Sequence, residues 1–233
     1  MNQIAELEQK IEQFKQELAA VKGNGHTNGV QAPATGPLKL DLGCGQRKQE
    51  GFVGVDVRKF NGVDIVCDLS REKWPWADNS VDEAFSSHSL EHLPGTEVEY
   101  ELEPGPTLVK RVLHPRAHFF NELWRVLKPG SKVTIITPHW NSPRAYGDMT
   151  HAWPPVCEWQ WLYLDKQWRP QNAPHDDFLI CDFTHTLGYS LAAWVQAENY
   201  MRNAEFVTKN TNDALLKHKG AADDMQTTLV ARK

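Results

Sequence analysis

Hydrophobic and polar positions follow two different patterns along the chain. In residues 1–22 the apolar side chains recur at spacings of three and four, at Ile4, Leu7, Ile11, Phe14, Leu18 and Val21. This a/d heptad seam is narrow, and it predicts a coiled-coil helix for self-association. A single amphipathic helix lying on the main domain is the alternative interpretation. Residues 23–37 lack periodicity and are rich in Gly, Asn, Thr and Pro, which predicts a flexible linker.

The charges beside the seam favour antiparallel pairing of two such helices. In the heptad register set by the apolar positions, Glu8 and Lys15 fall at e, while Lys10 and Glu17 fall at g. A parallel pair would set Lys10 against Lys15. The fully overlapped antiparallel pair instead sets each of these lysines against a glutamate of the other helix. Exposed ion pairs contribute only a few tenths of a kcal/mol each, so the expected preference is modest.

Beyond residue 37 short apolar runs alternate with helical patterns, which predicts an α/β fold with a mostly parallel sheet and helices on both faces. Strands are predicted at 38–42, 52–57, 63–67, 81–87, 131–138, 205–209 and 225–232. Helices are predicted at 116–128 and 188–202. Residues 94–116 contain Pro-Gly pairs and alternating apolar side chains, which predict a small hairpin or flap. Residues 38–233 are therefore expected to form one domain.

Composition and charge narrow the classes of partner. The net charge of -5, with no dense block of Lys and Arg, disfavours a nucleic-acid partner. No apolar run approaches the roughly 20 residues that a bilayer-spanning helix needs, so no membrane partner is expected. The four cysteines form no CxxC pair, and the N-terminus is polar where a signal peptide needs an apolar core. Both features predict a cytoplasmic protein.

The stretch LKLDLGCGQRKQEGFVGVDV, residues 38–57, combines two apolar runs, a glycine loop and a terminal acid, Asp56. In open α/β sheets ligands bind beyond the carboxyl ends of the strands, where glycine allows close backbone approach and an acid can bond ribose hydroxyls. A bare turn between two strands is the alternative for Gly-Cys-Gly. Three further stretches fall at the ends of successive strands: VDIVCDLS, SVDEAFSSHSLEHL and RVLKPGSKVTIITPHW.

Taken in order, these stretches resemble the class I S-adenosylmethionine-dependent methyltransferases, particularly the group with an EHL helix start after the fourth strand and RVLKPG before the fifth. The resemblance covers residues 38–138, and DMQTTLVARK looks like the family's last, antiparallel strand. It implies a Rossmann-like sheet, S-adenosyl-L-methionine as cofactor, and methyl transfer by direct displacement to an acceptor, with a sugar or small metabolite favoured. A non-catalytic binding or scaffold protein that keeps the fold is the alternative.

The resemblance also implies a cofactor site, whose residues correspond to particular positions of this sequence. These are Asp41, Gly43, Cys44 and Gly45 along the methionine part, Asp56 at the ribose hydroxyls, Asp68 and Leu69 beside the adenine, and Ser87 and His88 beside the sulfonium and amino group. One departure is the connection after Gly45, where only about six residues precede the next strand, so the first helix is reduced to a turn. A nicotinamide enzyme is disfavoured, because the third glycine and the helix that seat a pyrophosphate are missing.

Candidates for the acceptor side follow the fifth strand, in PHWNSPRAYGDMTHAWPP. His151, His139 and Asp148 are the catalytic candidates, and His151 is preferred. Histidine can take a proton near neutral pH. A structural histidine is the alternative at each position, and residues 148–151 could form only a turn.

Two further features concern the second half of the chain. Five of the nine tryptophans fall between residues 140 and 168, which predicts either a lid over the acceptor pocket or a local hydrophobic core. Cysteine and histidine also occur at Cys157, His175, Cys181 and His185. Their spacing matches no common zinc pattern, and no metal site is predicted.

Overall fold

The computed structural model describes residues 36–102, 108–200, 215 and 218–233. The predicted coiled-coil helix, most of the predicted linker and the predicted strand at 205–209 lie outside these residues. Within the described part, no helix is long and apolar enough to cross a membrane.

Nine strands occur among the described residues. They are β1 (Lys39–Leu42), β2 (Val53–Asp56), β3 (Ile65–Val66), β4 (Val81–Ser87), β5 (Glu97–Leu102), β6 (Leu108–Leu113), β7 (Leu127–Pro138), β8 (Phe183–Leu191) and β9 (Ala222–Ala231). Seven form one sheet in the order β3-β2-β1-β4-β7-β9-β8. The first five strands in this order run parallel, whereas β9 is antiparallel to both of its neighbours. The prediction of a mostly parallel sheet with an antiparallel last strand is confirmed.

Among the elements whose bounds lie within the described residues, one helix is long and the other helical elements are short. They are a 3₁₀ turn (Leu90–His92), α1 (Pro115–Val126), α2 (Arg144–Gly147), α3 (Glu158–Leu162), α4 (Arg169–Asn172) and α5 (Ala193–Tyr200). Helix α1 begins with a proline, whose fixed φ suits the first helical position. It buries Phe119, Leu123 and Val126, at spacings of four and three, against the core. The helix predicted at 116–128 is confirmed, although the chain enters β7 already at Leu127.

The core lies where the central strands are covered on both sides. Leu40 and Leu42 of β1 and Ile135 of β7 are fully buried, as expected for central strands of a parallel sheet that is covered on both faces. Residues 43–52, between β1 and β2, contain turns and no helix, which confirms the shortened connection. The hairpin predicted within residues 94–116 is also confirmed, as β5 and β6 pair antiparallel in a separate two-stranded sheet.

The helix predicted at 188–202 is wrong over its first residues. Residues 183–191 form strand β8, and helix α5 begins only at Ala193. Burial alternates residue by residue along β8, and the strand pairs with β9 from Phe183 to Leu191. The apolar pattern of GYSL therefore belongs to the period of a strand, and pairing with a neighbouring strand decided a stretch that is ambiguous when viewed alone.

Candidate active site

The glycine loop after β1 lies across the end of β2. The backbone amides of Gly43 and Cys44 both donate to the carbonyl of Val55, at 2.8 and 3.1 Å. Gly43 has a φ of +75°, and a Cβ built there would lie 1.9 Å from Oγ of Ser89. Glycine is therefore required at this position by both backbone conformation and space. The loop lies beside the point where the strand order reverses between β1 and β4, the usual ligand-binding position in such sheets.

Two acids support this loop. Asp41 is buried, its Oδ2 accepts a hydrogen bond from the amide of Gln49 at 2.6 Å, and burial raises the pKa of its carboxyl group. Asp56, the last residue of β2, accepts from the amide of Gly45 at 2.9 Å and from the amide of Arg58 at 3.1 Å, one bond to each carboxylate oxygen. An ionised carboxylate offers about four acceptor sites. Asp56 thus retains acceptor capacity for two hydroxyl groups.

Three other residues of the predicted cofactor site have structural roles of their own. Burial raises the pKa of Cys44 to about 11, so it is a neutral thiol near pH 7. The side chain of Leu69 is buried in the hydrophobic core, and only its backbone is available to a ligand. Oδ1 of Asp68 accepts from the amide and hydroxyl of Ser70, at 2.9 and 2.6 Å, which orders the turn after β3.

The end of β4 carries a strained residue. Ser87 is the last residue of the strand, and His88 follows with a φ of +53°. This left-handed conformation is uncommon for residues other than glycine, and such outliers concentrate at functional sites. Nδ1 of His88 lies 3.3 Å from Oε1 of Glu91, and this carboxylate raises the pKa of the His88 ring above its ordinary value although burial opposes the shift.

A cavity of about 630 Å³ opens beside His88. Its titratable and charged lining residues are His88, Glu91, His92, Arg144, Asp148 and His151. Its lining residues come from two stretches of the chain, residues 88–92 after β4 and residues 138–151, which run from the end of β7 through α2 to the loop after it. They are joined by a hydrogen bond from the amide of Ala152 to the carbonyl of Glu91, at 2.8 Å. The structure therefore brings two predicted catalytic residues, Asp148 and His151, next to the predicted cofactor residue His88.

The third catalytic candidate, His139, has a different environment. Its side chain is buried, and it is not among the described residues that line this cavity. The amide of Asn141 donates to Nδ1 of His139 at 3.3 Å, and Nε2 then carries the proton that is donated to Glu158 Oε1 at 2.8 Å. Both ring nitrogens are engaged, so this histidine offers no free lone pair to a substrate.

Sequence reasoning did not identify Glu91 and His92 as site residues. Their EHL motif was interpreted only as the start of a helix. The available signal was the position of the pair, directly after β4, where side chains gather at the carboxyl edge of the sheet. Arg144 was also not identified, and its guanidinium donates to Asp224 of β9 at 2.8 Å.

The tryptophan-rich segment is neither wholly a lid nor wholly a core. Trp161 is 1% exposed within the hydrophobic core, whereas Trp153 and Trp159 are 77% and 72% exposed. Trp159 and Trp161 also line a second cavity of about 430 Å³, together with the apolar side chains of Leu90 and Phe120. The four residues considered for a zinc site do not form a metal-ligating group within the described part of the chain.

Comparison with known proteins supports the fold. No protein-family model and no curated protein matches the sequence. The crystal structure of a SAM-dependent methyltransferase from Archaeoglobus fulgidus is similar with a TM-score of 0.50 and 19% identity, over 83% of this chain and 86% of that chain. Geranyl diphosphate C-methyltransferase from Streptomyces coelicolor A3(2) has a TM-score of 0.46 and 13% identity, over 94% and 82% of the two chains. The sheet described here thus has the class I methyltransferase fold.

Proposed function

We propose that this chain transfers a methyl group from S-adenosyl-L-methionine to a small-molecule acceptor. The observation that carries the proposal is the glycine loop at the switch point of this fold, joined through the amide of Gly45 to the carboxylate of Asp56. In this proposal the loop of Asp41, Gly43, Cys44 and Gly45 lies along the methionine part of the cofactor. Asp56 accepts from the ribose hydroxyls, a charge-assisted contact that is stronger than a neutral hydrogen bond.

The remaining predicted residues would complete the cofactor site. Asp68 and the backbone of Leu69 border the adenine, and Ser87 and His88 lie at the sulfonium end. S-adenosyl-L-methionine carries no phosphate, so the missing helix after β1 does not count against it. When bound, it would supply a methyl group on a positively charged sulfur.

The cavity beside His88 is the proposed acceptor site. Direct displacement requires the acceptor atom to be held in line with the methyl group, and positioning can supply much of the rate enhancement. The lining is rich in charged and imidazole groups, which favours a polar acceptor such as a sugar or a small metabolite. Its position next to His88 would place that acceptor at the sulfonium end of the cofactor site.

His151 is the proposed proton acceptor among the three catalytic candidates. Its Nδ1 donates to the carbonyl of Ala145 at 3.1 Å, so the neutral ring keeps an unprotonated Nε2. Oδ2 of Asp148 lies 4.0 Å from that Nε2 and would stabilise the ring after it takes a proton. His139 lacks such a free nitrogen, which supports His151 over His139.

Calorimetric titration with S-adenosyl-L-methionine and with its demethylated product tests the proposal. The wild-type protein is expected to bind both. Asp56→Ala should cost about 1.5–3 kcal/mol of binding, roughly ten- to a hundredfold in affinity, because the ribose contacts and the support of Gly45 are lost. Asp177→Ala, at an exposed position outside the site, is the matched control. A wild-type protein that binds neither compound would leave a scaffold protein as the better interpretation.

A further inference from the structure

Glu91 is a buried carboxylate that lacks a hydrogen-bond donor. The residue is 4% exposed, and neither Oε1 nor Oε2 has a hydrogen-bond partner among the described residues. Nδ1 of His88 lies 3.3 Å from Oε1 and forms an ion pair with it when the ring is protonated, but the contact does not have hydrogen-bonding geometry. A buried charge without a hydrogen-bonded partner is costly, so a positively charged ligand would stabilise this carboxylate.

A neighbouring guanidinium, that of Arg116, interacts with Glu91 through its charge but does not donate a hydrogen bond to it. Arg116 is buried nearby, and its N–H groups donate to the carbonyls of Leu93 and Pro154 and to the side-chain oxygen of Gln160. These bonds fix the end of the 3₁₀ turn against the segment before α3. None of these bonds goes to the carboxylate oxygens of Glu91, which are buried beside the cavity without a hydrogen-bond donor.

Two histidines converge on this carboxylate. One carboxylate oxygen of Glu91 and one ring nitrogen each of His92 and His151 lie within 4.8 Å of one another. The two rings meet edge to face, with centroids 4.8 Å apart. All three residues line the cavity beside His88.

Hydrogen bonds set the same tautomer in both histidines. Nδ1 of His151 donates to the carbonyl of Ala145. The hydroxyl of Thr150 donates to Asp148 at 2.7 Å, and it therefore accepts from Nδ1 of His92 at 3.1 Å. Both rings thus keep a lone pair on Nε2. Histidines that bind metals commonly donate their other ring N–H to a carbonyl or a similar acceptor, as these two do.

We propose that Glu91, His92 and His151 form a binding site for a divalent transition-metal cation. Two imidazoles and one carboxylate suit Zn²⁺ or Co²⁺, whereas Mg²⁺ and Ca²⁺ favour oxygen ligands. Three protein ligands leave coordination positions open, and the cavity gives access to them. A cation there can hold an oxygen or nitrogen atom of the acceptor, with Asp148 close enough to contribute an outer contact.

Cation binding and proton transfer at His151 would use the same lone pair. In the cation-bound state His151 is a ligand, and the role of proton acceptor proposed above does not apply to it. Only the part of this inference that concerns the acceptor rests on the proposed methyl transfer. Binding of the cation itself does not require the cofactor and can be measured without it.

The test uses the full chain after treatment with a chelator. Calorimetry with Zn²⁺ and visible absorption on titration with Co²⁺ should both show one cation bound per chain. His92→Ala and Glu91→Gln should weaken binding by about a hundredfold or more, and Thr150→Val, which removes only an outer contact, by about ten- to a hundredfold. His175→Ala, at an exposed histidine outside the cluster, should bind as the wild type does. His92 is itself exposed, so His92→Ala should keep its fold even if Glu91→Gln does not.

Three outcomes would overturn the inference: no stoichiometric cation binding, wild-type affinity in His92→Ala, or an equal loss in His175→Ala. Titration of the same samples with S-adenosyl-L-methionine separates the two proposals. Cofactor binding without cation binding would refute the metal site and leave His151 as the proton acceptor. Cation binding without cofactor binding would support the metal site and refute the methyltransferase proposal.

Discussion

The two sides of the candidate active site are built on different physical principles. On the glycine-loop side, the carboxylates of Asp41 and Asp56 already accept backbone hydrogen bonds. On the cavity side, Glu91 is buried and its oxygens have no donor among the described residues. The first side is held by backbone hydrogen bonds in the absence of a ligand, whereas the Glu91 carboxylate on the second side faces the His88 ring at 3.3 Å without a hydrogen bond and would gain a direct partner from a cationic ligand. Substitutions on the first side should therefore change folding and binding together, whereas His92→Ala, at an exposed position on the second side, should change ligand binding with little effect on folding.

The largest effect is expected from Gly43→Ala. The added Cβ would overlap Oγ of Ser89, and the φ of +75° disfavours any residue other than glycine. We expect a loss of at least about 2 kcal/mol in the free energy of unfolding, from overlap and backbone strain. Cofactor affinity should fall by more than about a hundredfold. Urea unfolding and calorimetry measure the two effects.

Two controls separate overlap from strain at this loop. A Cβ at Gly45 would meet no atom within 4 Å, so Gly45→Ala should show only the backbone strain of its φ of +52°, about 1 kcal/mol. Gly43→Ala combined with Ser89→Gly should regain part of the lost stability, because the overlap is removed. An equal loss in Gly45→Ala and Gly43→Ala would contradict the role assigned to the close packing against Ser89.

The cavity side should respond differently to His151→Ala. Methyl transfer to an oxygen or nitrogen acceptor should slow by about a hundredfold or more, because the substitution removes the proposed proton acceptor or, in the cation-bound state, a ligand of the cation. Cofactor affinity should stay close to the wild-type value, and the free energy of unfolding should fall by only about 1 kcal/mol, because the hydrogen bond from Nδ1 to the carbonyl of Ala145 is lost. His175→Ala is the control for the loss of a histidine. Turnover that is unchanged across the pH range would remove His151 from the site.

Much of the sheet could be predicted, because each strand is indicated by the pattern of a few consecutive residues. Leu40, Leu42, Val55 and Ile135 lie in short segments that are rich in apolar residues and bounded by turn residues, and this pattern predicts strands. Pro129-Gly130 marked the end of α1 to within a few residues. The glycine loop and the position of Asp56 at the end of β2 could also be predicted, because both depend on one short stretch of sequence, residues 43–56. Their role in binding a cofactor stays a prediction.

The cavity beside His88 could not be predicted from the sequence, because the residues that line it are distant from one another in sequence. Thr150 contacts His92 across 58 positions, and no periodic pattern connects the two segments. The contacts of His139 could not be predicted from the sequence either, because its partners Glu158 and Tyr189 come from α3 and β8. Strand β8 itself was misassigned because its pairing with β9 outweighs a helical pattern of only a few residues.

The smallest predicted effect sharpens the contrast between His139 and the cavity histidines. Burial disfavours ionisation of Glu158, but hydrogen bonds from His139 and Trp140 outweigh it and lower the pKa of Glu158 below its ordinary value. A carboxyl group with a lowered pKa in the folded state stabilises the fold above its unfolded pKa, and this contribution is lost as the pH falls through the folded pKa. Glu158→Gln should therefore reduce the free energy of unfolding by about 1 kcal/mol at pH 7, and the difference should vanish in strong acid.

Urea unfolding at several pH values measures this, with cofactor affinity and turnover at pH 7 expected to stay unchanged. The same difference at every pH would show that the carboxylate charge does not contribute, and a fall in turnover would place the His139–Glu158 pair in the active site after all.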